Sequence, residues 1–240
     1  MFRHHGQSRT YLHNIQLASL LSLVAGMVNV SGIFAVYRLT TNVTGHFAFF
    51  ADEVSRENYA QAWVYLGFIL AFFAGAFFSS FLSELIALRN SRLVTAMPVL
   101  VEIGLLVAAG LTGPYLVPGQ PNVLAGILLF AMGLQNALVT RLSNAVVRTT
   151  HLTGLFTDLG IELAQLFFFR KPGQQSKLLA SVKLRFTIIG FFFMGCVAGG
   201  FIYFGIGLKT LVVAAGLLLA GLIADTVKYR LFRLKRKLRR

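Results

Sequence analysis

The chain has 240 residues, 56% of them hydrophobic and 12% charged, with a mean hydropathy of +0.73 and a formal charge of +14. That balance excludes a soluble globular domain. The basic residues lie between long apolar runs and in the C-terminal tail, not across one folded polar face, so a nucleic-acid binder is excluded as well.

A helix needs roughly 20 apolar residues to cross about 30 Å of hydrocarbon. Residues 15–37 form a first run of that length, ended by Arg38. It is too long for a signal-peptide core and lacks a small-residue cleavage pattern, so it is expected to be retained. Residues 60–83 form a second, rich in Phe and Ala, which leaves the bilayer at Glu84, Arg89 and Arg92. The third, 93–112, carries Pro98 near its start, where a kink is expected, and Glu102 near its middle. Gly113, Pro114, Pro118, Gly119 and Pro121 then crowd into nine residues and predict a non-helical turn outside the lipid. Residues 122–140 are the fourth span.

Residues 141–185 are mixed, with an apolar helical pattern over 155–169 followed by Arg170, Lys171, Pro172, Gly173 and a polar stretch. Residues 186–224 hold one charge, Lys209, in 39 residues. At about 1.5 Å per residue this is two crossings, with the turn at Gly205, Gly207 and Lys209. The total is six spans, and the cations test it. Arg3 and Arg9, then Arg89 and Arg92, then Arg141, Arg148, Arg170, Lys171, Lys177, Lys183 and Arg185, and finally the eight basic residues of 228–240 fall in alternate loops. The positive-inside rule places all of these, and both termini, in the cytoplasm. The single cysteine, Cys196, lies in an apolar run as a small buried residue, without a disulfide framework.

An internal repeat divides the chain. Thr41-Asn42-Val43-Thr44-Gly45-His46-Phe47 resembles Thr150-His151-Leu152-Thr153-Gly154-Leu155-Phe156, with Glu53 and Glu162 eight residues past each glycine. Upstream, Gly26-Met27-Val28-Asn29 matches Gly133-Leu134-Gln135-Asn136. Each element follows the first of three spans, and because three is odd the second copy is inverted. The expected fold is therefore an all-α polytopic membrane protein, a single membrane domain over 1–240. Its six transmembrane helices form two inverted three-helix repeats (11–112 and 122–228), with short broken or re-entrant helical elements after spans one and four and a basic tail over 228–240.

These motifs carry a resemblance to the YoaK-like bacterial integral membrane family of unknown function. Ala25-Gly26 through Gly32, Thr44-Gly45, Gly133-Leu134-Gln135-Asn136-Ala137 and Thr149-Thr150-His151-Leu152-Thr153-Gly154 are the residues concerned. The resemblance implies a six-span protein of the bacterial inner membrane and implies no substrate.

Clustered Asn, Thr and Gly beside a span fit a broken helix whose freed backbone and hydroxyls coordinate a solute, and equally fit close helix packing. The candidate solute-binding residues are Asn29, Thr41, Asn42, Thr44, Gly45, Gln135, Asn136, Thr150, His151, Thr153 and Gly154. Glu102 is a candidate coupling group, because a mid-bilayer carboxylate costs about 2.5 to 3.5 kcal/mol and must face the bundle interior, protonated or paired. Asp158 and Glu162 join it as candidates, on the polar face of an amphipathic helix opposite Leu155, Leu159, Leu163 and Leu166, and Arg148 is close enough in sequence to pair with either acid. His46 and His151 lack a third ligand, so neither a metal nor another cofactor is expected. No nucleophile with a base, Walker loop or metal triad is legible, which argues against an enzyme. Two readings remain: a small-solute transporter with a midplane site between the repeats, and a non-transporting membrane scaffold or assembly subunit. In either, Leu231, Leu234 and Leu238 make the basic tail amphipathic and suit it to anionic inner-leaflet lipids. The sequence leaves a homo-oligomer open.

Overall fold

The computed structural model describes residues 10–89, 93–168 and 171–238, with Pro172 and the last ten of these by backbone alone. Arg3, Arg9, Arg92 and Arg170, and the tail side chains that include Leu231, Leu234 and Leu238, lie outside the described residues. Among the described residues eight α-helices follow one another: α1 (Tyr11–Val36), α2 (Thr44–Ser55), α3 (Tyr59–Ala87), α4 (Ala96–Leu116), α5 (Pro121–Ser143), α6 (Leu152–Phe168), α7 (Pro172–Ile206) and α8 (Thr210–Leu238). Five stretches are long and apolar enough to cross a membrane. They are α1, α3, α4, α5 and the 56 residues Gly173–Lys228, which carry both α7 and α8.

The helix ends follow from local chemistry. Thr10 caps α1, its backbone N–H donating to Nδ1 of His13 at 3.2 Å. Pro121 and Pro172 begin α5 and α7, where the missing N–H would have had no helical partner anyway. Tyr37 and Asn144 end α1 and α5 in the left-handed conformation, at φ 54° and 52°. Gly207 ends α7 at φ 60° and ψ −140°, a region open only to glycine, and a 3-10 turn over Gly207–Lys209 leads into α8. The turn expected at Gly205, Gly207 and Lys209 is thus present.

Two expectations need correction. The crowd of breakers at 113–121 does not end α4, which continues through Gly113 and Pro114 to Leu116 and leaves only 117–120 as the connection. Pro114 lies two residues before the helix end and forfeits one hydrogen bond, too little to stop a helix packed along its length. Pro98 lies in the first turn of α4, where a proline breaks no hydrogen bond and calls for no kink. The polar stretch after Pro172 is helical and extends α7 well before Phe186.

The helices α1 and α5 form the centre, with 61% of their apolar windows buried against 22% for α3. Leu17, Leu21, Leu124, Leu128, Leu129 and Met132 are fully buried there. Trp63, Phe73, Phe77 and Phe81 on α3 and Phe193, Phe201 and Phe204 on α7 are exposed. Such a surface would drive association in water and is at home in hydrocarbon.

Two crossings knit the bundle. A Cβ on Gly26 of α1 would run into the Phe192 carbonyl of α7, and one on Gly195 of α7 into the Leu23 carbonyl of α1. In the same way Gly75 of α3 meets the Phe130 carbonyl of α5, and Gly133 of α5 meets the Phe72 carbonyl of α3. Backbones this close require glycine at all four positions. Beyond the crossings the partners run parallel. Phe34 meets Tyr203 and Phe204 at ring separations of 5.4 and 5.1 Å, and Glu84 meets Arg141 at 2.9 Å. Helix α4 lies against α5 and α8, with Gly110 and Gly113 close to Leu208.

Candidate functional site

In an apolar helix a buried amide needs partners. After Tyr37 the chain turns back along α1, and Asn29 Oδ1 accepts from the Thr40 backbone N–H at 3.3 Å and from the Thr41 hydroxyl at 3.0 Å. The Thr40 hydroxyl donates to the Val28 carbonyl at 3.2 Å. Asn42 Oδ1 then accepts from the Gly45 N–H at 3.2 Å and starts α2, while Thr44 is exposed.

The second element repeats the design with two more residues in its loop. Asn136 Oδ1 accepts from the Thr150 hydroxyl at 2.9 Å, the counterpart of the Asn29–Thr41 bond. Gln135 Nε2 donates to the Leu21 carbonyl of α1 at 3.1 Å and to the Thr149 hydroxyl at 3.4 Å. So Asn29 bonds Thr41 and Asn136 bonds Thr150, each pair fastening a loop onto its helix, while Gln135 ties the second loop, through Thr149, to α1. Thr153 and His151 are exposed, and Gly154 leaves room for the His151 ring, which a Cβ there would strike.

The space beyond each element is filled differently. In the first, His46 is buried, its Nε2–H donates to the Leu39 carbonyl at 2.7 Å, and its ring packs on Tyr65 and Phe68. Phe49 stacks on Tyr65 at 5.3 Å, and the Arg38 guanidinium lies over the same Tyr65 ring, 5.3 Å from its centroid. Burial holds the His46 pKa below the usual imidazole value, and Arg38 adds to this against the opposing backbone hydrogen bond.

In the second, a cavity of about 480 Å³ opens between the α5–α6 loop, α6 and α7, and Arg148, His151, Gly154, Asp158, Ser181 and Arg185 are among its walls. Arg185 grips Glu162 with two donors, Nε at 2.7 Å and Nη2 at 2.8 Å, and reaches Asp158 Oδ2 through Nη1 at 2.8 Å. The Ser181 hydroxyl adds a 2.6 Å bond to Glu162. Burial pushes the Glu162 carboxyl up, but the hydrogen bonds from Arg185 and Ser181 and the Arg185 charge outweigh it, leaving the pKa below the ordinary value. The cation that pairs with both acids is Arg185, not Arg148: α7 packs along α6 and delivers its guanidinium from a neighbouring helix, whereas Arg148 lies in the loop.

Glu102 is the outlying candidate. It is fully buried on the stripe of α4 that includes Val99, Leu106 and Ala109, and neither carboxyl oxygen has a hydrogen-bond partner among the described residues. Gln135 Oε1 and the Ser22 and Ser79 hydroxyls are likewise buried and unpartnered among the described residues.

Sequence reasoning missed Arg185 and Ser181 as site residues and the aromatic packing around His46. A signal for the first pair existed: Ser181 and Arg185 are four apart on one helix, as are Asp158 and Glu162 on the next, the spacing of two complementary faces. A family model described as a protein of unknown function, DUF1275, matches residues 17–224. No curated protein and no solved structure matches the chain. With its apolar bundle, repeated Asn–Thr fastenings and buried carboxyl, this helical membrane chain belongs to the DUF1275 family of proteins of unknown function.

Proposed function

We propose that the chain is a six-span transporter of a small solute, built as two inverted repeats, with Glu102 as its coupling group. The observation that carries this is the Glu102 carboxyl, fully buried in a spanning helix with no hydrogen-bond partner among the described residues. A structural carboxyl would be satisfied, because a bare one in hydrocarbon costs about 2.5 to 3.5 kcal/mol even on insertion scales. One that exchanges a proton or cation during a cycle has to be left open.

The architecture supports the reading. Exchanging α1 for α5 and α3 for α7 turns the Gly26–Phe192 crossing into Gly133–Phe72, and Gly195–Leu23 into Gly75–Phe130. The Asn29–Thr41 bond becomes Asn136–Thr150, and Tyr37 becomes Asn144. Parallel packing of α1 with α7 and of α3 with α5 suits six crossings with both termini on one side. The loop charges favour the cytoplasm for that side, and the YoaK-like resemblance fits a bacterial inner membrane. The first element is packed shut and the second opens to a cavity, the expected asymmetry of a cytoplasm-facing state in alternating access. The basic tail anchors the chain to anionic inner-leaflet lipids. No nucleic acid and no catalysis enter the reading.

Reconstitution into liposomes with an imposed pH gradient tests it. Solute uptake should follow the gradient in the wild type, and Glu102→Gln should uncouple it. If a broad solute panel gives no flux, and Glu102→Gln equals the wild type throughout, the proposal fails. A second reading, a membrane scaffold, draws on the way Asn29, Thr41, Asn136 and Thr150 bond one another. Specific co-purification of a membrane protein in mild detergent, without flux, would favour it.

A further inference from the structure

The charges around the second-half cavity balance in number but not in pairing: Arg185 serves both acids and Arg148 neither. Arg185 and Glu162 form a two-pronged pair whose carboxylate also accepts from Ser181, so both Glu162 oxygens and both sides of that pair are used and the pair is neutral. Two walls of the same cavity then remain charged. Asp158 gives one oxygen, Oδ2, to Arg185, so Oδ1 stays available; half of its side chain is exposed. Arg148 is cationic, and among the described residues it forms no ion pair, with Asp158 or with any other acid. One cavity of about 480 Å³ is therefore lined by an unspent carboxylate oxygen and an unspent guanidinium that form no ion pair with each other.

We propose that this cavity binds a small zwitterion, an amino-acid-like solute whose carboxylate meets Arg148 and whose ammonium meets Asp158. A guanidinium takes a carboxylate through two parallel N–H donors, which fixes orientation, and the free Asp158 oxygen accepts an ammonium N–H. A singly charged ligand would leave one wall uncompensated, and a neutral one would leave both. The cavity exceeds the volume of a small amino acid, so water accompanies the ligand and His151 and Ser181 meet its remaining polar atoms. The inference rests on the transport reading for the purpose of the site and on the cavity alone for the class of ligand.

The test uses the full chain in nanodiscs, with L-alanine and γ-aminobutyrate as probes and acetate and ethylammonium as singly charged controls. Saturable thermal stabilisation by at least one zwitterion, and none by either control at equal concentration, is expected. Arg148→Gln and Asp158→Asn should each weaken binding about tenfold or more, the loss of a charge-assisted contact. Glu53→Gln, at the matching place in the first half, should leave it unchanged. Helical circular dichroism and a monodisperse elution peak verify that each variant is folded. The proposal is overturned if acetate or ethylammonium binds as well as the zwitterions, if no probe binds, or if folded Arg148→Gln binds like the wild type. Liposome uptake of the bound probe separates the two ideas. Binding without uptake removes the transport reading and keeps the site, whereas uptake indifferent to Arg148→Gln removes the site and keeps transport.

Discussion

The two Thr-Gly elements share a backbone design and differ in what fills it. At matched positions, Phe49 stacked on Tyr65 in the first half corresponds to Asp158 paired with Arg185 in the second, and His46 corresponds to Leu155. The first fill is aromatic and closed, and the second is charged and lines a cavity. The Asn–Thr fastening is common to both. The comparison separates residues that hold the fold from residues free to differ, and a functional role belongs with the second class.

The largest expected effect breaks what the halves have in common. Gly26→Val and Gly133→Val should each destabilise the bundle by about 3 kcal/mol, because the added side chain meets a backbone carbonyl that cannot move aside. Thermal or denaturant unfolding in detergent measures this, and tolerance of one substitution but not the other would break the equivalence of the crossings. Next in size, Arg185→Met strands two carboxylates that are only partly exposed and should cost about 2 kcal/mol. Adding Glu162→Gln should restore part of that loss if the ion pair, and not the arginine stem, is what matters. Thr41→Val and Thr150→Val should each cost about 1 kcal/mol, one hydrogen bond to a buried amide. Unequal losses would mean the two fastenings are not equivalent.

The smallest effect is a difference in acid response. The folded His46 pKa lies below its unfolded value, so stability is full above the ordinary imidazole value and declines as pH falls through the folded one. Glu162 also has a lowered folded pKa, so its contribution is full above the ordinary carboxylate value and is lost only as pH falls below it. Acidification should therefore loosen the first half before the second. Hydrogen exchange at α2 and α6 across the pH range would show the order, and His46→Gln should abolish the earlier step.

The spans were legible because length and the absence of charge are strong one-dimensional signals, and Lys209 with Gly207 marked the turn in the longest run. The Thr-Gly elements were legible because matching residues recur at matching spacing. The end of α4 was misread since Gly113 and Pro114 count as breakers in isolation, whereas a helix packed on its neighbours absorbs one lost bond near its end. The grouping of Asn29 with Thr41 was within reach, but the same residues proved to bond one another and not an open space. Arg185 was invisible as a site residue because ion-pair choice depends on which helix lies alongside, and α7 lying on α6 is a tertiary fact. The aromatic filling around His46 was hidden for the same reason, since Phe is everywhere in this chain.

The glycine crossings join α1 to α7 and α3 to α5, so half of each pair lies in the other half of the chain. In a ribosome-coupled insertion the Leu23 side of the first crossing enters the bilayer early and its Gly195 counterpart arrives near the end. At about 5 to 20 residues per second, that wait is roughly ten to thirty seconds. Through that interval the notch at Gly26 faces lipid, or whatever attends insertion, and neither half can complete its own packing alone. The molecule closes like a clasp, its two pieces becoming stable together once the seventh helix has been made.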